Sequence, residues 1–280
     1  MKCLEDLPYR FWPRSALPEG VPEPEKLFNV KSADFKRSYV KRVNPVLKAA
    51  GFKCSGTTAR RFDDKLSRMV WYGTGKAGGS GVVAIAALIP GLPTPGETAQ
   101  TADKFEIYGA CFKKSLELVP GLEWFDLGRD AEQSLETANL MAEAFESQGH
   151  EFFARLDTAE EVLLAVDPDD WVEPMTHHYQ TFGLSLLGFS VRPGTLPHAA
   201  TAQFLARLHA RAGRAERARR FAEIGLQAIA EELAPHHRHA YHTWKLRFEK
   251  LLAGDRTFLL DAADCAEVDR RVEVEKLAGA

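Results

Sequence analysis

The sequence predicts an α+β protein: an antiparallel four-stranded sheet with packed helices, followed by an all-helical C-terminal region. Three observations carry this. Between Phe52 and Phe112 the apolar residues fall in short runs rich in β-branched and aromatic types. Before and after that stretch they recur at helical spacing, and beyond Asp167 no strand pattern returns. A chain of 280 residues is about two average domains long. The expected division is a proline-rich N-terminal arm at 1–33, an α+β domain at 34–166 and a helical domain at 167–280.

In the first 33 residues, Pro8, Pro13, Pro18, Pro22 and Pro24 fix φ and remove donors, which excludes a regular helix or central strand. Leu17, Val21, Leu27 and Phe28 give this arm apolar side chains with which to pack along the body. A helix opens near Asp34, with Phe35, Tyr39, Val43, Val46, Leu47 and Ala50 at helical spacing, a kink expected at Pro45, and Gly51 as its C-cap. Strands are expected at 57–62, 66–72, 81–89 and 105–112. Asp63-Asp64-Lys65 turns the first pair, and Val82–Ile89, apolar on both faces, is the central strand. Short connections favour a meander.

Asp130 and Gln133 form a capping-box pattern ahead of Leu135, Ala138, Met141, Ala142 and Phe145; Thr158 and Glu161 repeat it for a short helix to Val166. Four further helices centre on Met175–Leu186, Phe204–Leu208, Ala218–Ile229 and Tyr241–Leu251, and a last one lies within 258–277.

Composition narrows the class. With 45% hydrophobic and 27% charged residues, the chain is neither disordered nor collagen-like. The 36 Lys+Arg against 39 Asp+Glu leave a net charge of −3, which argues against a general nucleic-acid coat. The longest apolar run, Val82–Ile89, is 8 residues, short of the roughly 20 that span a bilayer. Met1–Asp6 has no apolar core of a signal peptide, and Cys3, Cys54, Cys111 and Cys265 form no CxxC pair. The expectation is a soluble, cytoplasmic protein with no membrane partner.

Two resemblances follow from these elements. The order helix, Gly51-Phe52-Lys53, a strand with Arg60-Arg61-Phe62, a strand through Val70-Trp71 and the apolar strand Val82–Ile89, then Phe152-Phe153-Ala154-Arg155-Leu156 and Thr158-x-x-Glu161, resembles domain of unknown function 4304 over about residues 34–166. That resemblance implies the fold and assigns no activity. Residues 198–232 are similar to one tetratricopeptide-type hairpin: Leu205, Ala206 and His209 on the first helix, Gly213 at the turn, and Ala218, Ala222 and Gly225 on the second.

Candidate chemistry is sparse. Gly73–Gly81 is glycine-rich, yet it lacks the GK[ST] order of a phosphate cradle and runs into a strand, so a hairpin loop fits better. His236, His237, His239 and His242 crowd a helix start, where His239 and His242, three apart, could share a face as zinc ligands do, but no cysteine lies nearby and no HExxH order occurs. A solvated surface fits better, and His177-His178 point about 100° apart. Asp63-Asp64 and Asp169-Asp170 suit turns. No catalytic residue, metal ligand or cofactor is assigned.

The densest charge cluster, Arg207, Arg211, Arg214, Arg217, Arg219 and Arg220, forms either a solvated face or a grip for an acidic protein partner, with Arg207, Arg211, Arg214, Arg217 and Arg220 as the candidate partner-binding residues; the absence of interleaved aromatics argues against nucleic acid. Arg61, Arg68 and Tyr72 are the sheet-face alternative. The function expected is a non-enzymatic protein-interaction module, with an antitoxin or immunity-type inhibitor as a subcase. The alternative is an enzyme or a binder of a small-molecule or phosphate ligand, with its pocket between sheet and helical domain and the Gly73–Gly81 loop as lid.

Overall fold

The computed structural model describes residues 7–8, 11, 32–75, 79–92, 105–184, 196–232, 237–255 and 260–278. Most of the proline-rich arm, the centre of the Gly73–Gly81 loop, Leu186 and His236 lie outside the described residues. The fold is α+β, and the chain divides into two compact units: Met1–Ala87 with Lys113–Ala154, and Leu88–Phe112 with Arg155–Ala280. The turn at Asp167–Asp170 lies inside the second.

In the first unit, α1 (Ser32–Ala49) runs unbroken through Pro45 and ends at Gly51, whose φ of 85° is the left-handed value a helix C-cap favours. Six strands follow: β1 (Lys53–Ser55), β2 (Thr58–Phe62), β3 (Ser67–Thr74), β4 (Ser80–Leu88), β5 (Phe112–Ser115) and β6 (Phe125–Asp126). They form one sheet in the order β1-β2-β3-β4-β5, with β6 also paired to β4. The β1–β2, β2–β3 and β4–β6 pairs are antiparallel, with Arg61 opposite Arg68. As expected, β4 is the central strand, buried from Val83 to Leu88. At the β2–β3 turn, Asp63 Oδ1 accepts from the Lys65 and Leu66 amides, both at 2.9 Å, which is the local bonding that places Asp there.

The fourth strand departs from expectation. Residues 107–109 form a 3₁₀ turn, and the strand itself is Phe112–Ser115. Phe105, Ile107, Ala110 and Cys111 are buried, so the apolar signal reports burial and not pairing. The strand uses Lys113 and Lys114, which suit the end position in the sheet order. The short polar β1 and the two-residue β6 carry too little pattern to be read from sequence.

Helix α2 (Ala131–Ala144) starts at the predicted cap: Asp130 Oδ1 accepts from the Gln133 amide at 2.9 Å, and Gln133 Oε1 accepts from Arg129 N at 3.0 Å. It passes through a π-turn at Phe145–Gly149 into α3 (His150–Leu156). There Gln148 satisfies both backbone groups of Glu117, accepting from its N–H at 3.1 Å and donating to its carbonyl at 2.6 Å.

The second unit holds α4 (Ala159–Ala165), α5 (Val172–Phe182), α6 (Leu196–Arg211), α7 (Ala215–Glu232), α8 (Arg238–Leu252) and α9 (Ala262–Ala278). Thr158 does not cap α4 as its sequence suggests; its hydroxyl turns back and donates to Arg155 O at 3.1 Å. Helix α5 stops at Gly183, φ 60°. Helix α6 is buried at every residue from His198 to His209. Gly213 (φ 75°) closes it: the Gly213 amide bonds Ala210 O at 3.1 Å and the Arg214 amide bonds His209 O at 2.9 Å. Successive helices α6 through α9 then pack each on the next, and α6 also reaches α8.

Gly225 has a different partner from the one its hairpin position suggests. A Cβ there would lie 2.1 Å from the ring of Phe248, so the glycine admits α8, not α6. In an unobstructed helix interior, Gly→Ala stabilises by about 0.5–1 kcal/mol. Here Phe248 is fully buried and has no room to yield. Gly225→Ala is therefore expected to destabilise by about 1–3 kcal/mol, read as a lowered thermal midpoint. A raised midpoint would show that α7 and α8 are not in close contact at this point.

Candidate functional site

The arginine cluster is a meeting of helix ends. Helix α4 finishes with carbonyls that have no partner within the helix. One of them, Leu164 O, accepts from Arg214 Nη1 and, at 3.3 Å, from Arg217 Nη1. Cations at a helix C-terminus also oppose its dipole. The chain then turns through Asp167–Asp170, where Asp167 Oδ1 accepts from the Asp169 amide at 2.9 Å. The same two acids face the start of α7: Arg217 lies 3.7 Å from Asp167 and Arg220 3.3 Å from Asp169. Arg220 also approaches Glu223 at 3.5 Å, and Arg211 approaches Glu160 at 4.0 Å.

Of the five arginines expected on one face, Arg211, Arg214, Arg217 and Arg220 are exposed or half-exposed, and each has a bond or ion pair inside the second unit. Arg207 is not on that face. It is 3% exposed, within the buried length of α6, and burial pulls its guanidinium down to about 9. Arg207 and Arg211 share a four-residue spacing, but enclosure of α6 separates their environments. Arg219, on α7, is exposed and makes no hydrogen bond or ion pair among the described residues. It belongs to the same run in the sequence, where nothing marks which arginines have acidic neighbours.

The interior of α6 is polar to an unusual degree. His198, Thr201, Gln203, Arg207 and His209 are all buried. Thr201 and Tyr179 hydroxyls lie 2.7 Å apart, and the His198 ring lies 4.4 Å from Trp171. His209 stacks on Phe221 at 5.3 Å and 17°. Burial, then the neighbouring Arg214 and Arg217, pull its imidazole down to about 4, so it is neutral at physiological pH. Burial pushes the Cys111 thiol up to about 12, which keeps it protonated and a poor nucleophile.

The sheet alternative does not form an open face. Tyr72 is buried, its ring 5.3 Å from Phe35 and 5.1 Å from Tyr39 of α1. Arg68 is buried and paired with Asp63. Arg61 donates to Ala50 O at 2.8 Å and lies over the Phe52 ring at 5.3 Å. Both flanks of the glycine loop are strands, and Gly81 is a packing glycine: a Cβ would lie 2.6 Å from the Tyr72 ring.

The histidine cluster disperses along α8. His239 lies 3.4 Å from Asp269 and His242 2.8 Å from Glu275, both on α9. With Arg271–Glu249 at 2.7 Å and Lys250–Asp264, they lace the two helices together. Among the described residues no group of three or more His, Cys, Asp or Glu is placed to hold a metal ion, and no helix is long and apolar enough to cross a membrane. No protein-family model, curated protein or solved structure matches the chain.

These placements separate Arg207 from Arg211 by experiment. Arg207→Glu buries a carboxylate and is expected to cost on the order of 3 kcal/mol or more. Arg211→Glu, at a partly exposed pair, is expected to stay within about 1 kcal/mol. Denaturant midpoints of the two single variants check this; equal midpoints would place Arg207 on the surface.

Proposed function

We propose that the chain is a non-enzymatic protein-interaction module that receives its partner on the helical second unit. The observation that supports this most is the packing of α6 through α9, each helix on the next in sequence. Stacked antiparallel hairpins lay the outer faces of successive helices side by side, a surface used for extended partner segments in helical-repeat proteins. The tetratricopeptide-like spacing of Ala206, Gly213, Ala218 and Ala222 is consistent with that use.

The partner would carry acid. Arg211, Arg217 and Arg220 spend their charge on Glu160, Asp167, Asp169 and Glu223. Arg219 does not, and the planar fork of an exposed guanidinium matches a carboxylate or phosphate. An antitoxin or immunity-type inhibitor is one form such a module takes, with a second protein held by this surface.

A photo-crosslinking amino acid placed in the full-length chain at Glu216, exposed on α7 one turn from Arg219, is expected to give one discrete adduct in cells of the source organism. The same group at Lys36, exposed on α1, is the control and is expected to give none. Absence of an adduct at 216, or the same products from both positions, would overturn the reading.

A further inference from the structure

Beside Arg219 the second unit has a small notch of about 220 Å³. Its walls are the first turn of α7, with Ala215 and Ala218, and the end of α8, with Leu251 and Leu252; Arg219 and Asp255 are its charged lining residues. Asp255 is held 3.3 Å from Lys250. Arg219 is therefore the lining charge left to a ligand. Drug-sized pockets start at about 300 Å³, so this notch is of single-side-chain size. Its alanine and leucine walls suit an aliphatic group.

Resting on the interaction reading above, we propose that the notch takes the C-terminal residue of a partner chain: a large aliphatic side chain among Ala215, Ala218, Leu251 and Leu252, with the terminal carboxylate on the Arg219 guanidinium. A C-terminal residue carries both groups on one Cα. It therefore fits a one-residue notch with a single adjoining cation, and the partner backbone needs only one exit. An internal Asp or Glu would require the backbone to continue past the notch in both directions. The guanidinium fork matches a carboxylate bidentately, which fixes orientation as well as charge.

The test uses the full-length protein and three peptides of otherwise Gly/Ser sequence: one ending in a free Leu carboxylate, its C-terminal amide, and an amide with an internal Asp-Leu. Amide chemical shifts are followed while each is titrated to millimolar concentration. The free-acid peptide is expected to move the resonances of Ala215, Ala218, Leu252 and Gly254. The amide is expected to bind at least about tenfold more weakly, the loss of one charge-assisted contact. Arg219→Gln, a surface change, is expected to bring the free acid to the amide's level. Equal binding of acid and amide, an equal response to the internal Asp-Leu peptide, an unchanged response in Arg219→Gln, or no shift of the notch residues would each overturn the proposal. A crosslinked adduct at 216 together with no response to the free-acid peptide would overturn this inference alone and leave the interaction reading standing.

Discussion

Enclosing a helix on every side removes water as a partner for whatever it carries, and α6 is enclosed from His198 to His209 with five polar side chains along that length. Helices buried all round are ordinarily apolar throughout. Here Thr201 is answered by Tyr179 on α5, His198 packs against the Trp171 ring and His209 stacks on Phe221 of α7, while both ring nitrogens of His209 and Gln203 Nε2 are buried with no hydrogen-bond partner among the described residues. The alanines between them, Ala199, Ala202 and Ala206, are fully buried and let those neighbours approach. The same closeness recurs one layer on, where Gly225 of α7 admits Phe248 of α8. Packing of α6 thus sets the spacing of the helices that follow it.

The charge distribution depends on the same arrangement. With α6 inside, the arginines at its C-terminal end and on the first turns of α7 meet the end of α4 and the acidic turn after it. Arg214 and Arg217 answer an open carbonyl of α4, and Arg217 and Arg220 face Asp167 and Asp169. A cluster that reads as a basic face is mostly an internal joint. Exposed pairs of this kind contribute little singly, but they decide which cation remains for a partner. Within this run, and among the described residues, that leaves Arg219, which lines both the acidic joint and the notch at the end of α8.

Much of this was legible in the residues. The caps at Gly51 and Asp130, the Asp63 turn, the double-sided burial of Val83–Leu88 and the helices after Asp167 follow from local rules, because each depends on residues a few positions apart. The failures have one cause. Phe105–Phe112 looked like a strand because burial of an irregular segment produces the same apolar run. Thr158 had two acceptable bonds, and its hydroxyl took the one to Arg155. Arg207 looked like surface because charge ordinarily is, and Tyr72 looked available because nothing in its strand shows that α1 covers it. In each case the deciding contact comes from far along the chain. Arg219 stands in the same run of arginines, but its isolation is visible only once the acids that occupy its neighbours are in place.

The account rests on α6 being closed to water, and the most direct measurement is the titration of the His209 imidazole by NMR in the folded full-length chain, assigned by its loss in His209→Gln. Enclosure predicts an imidazole that remains neutral down to about pH 4. An unfolded chain takes that proton near pH 6.5, so folding stability present above about pH 6.5 is lost as pH falls towards 4. Folded-state titration at or above about 6.5 would mean that water reaches this ring and that α6 is not the enclosed helix on which the rest of the second unit depends.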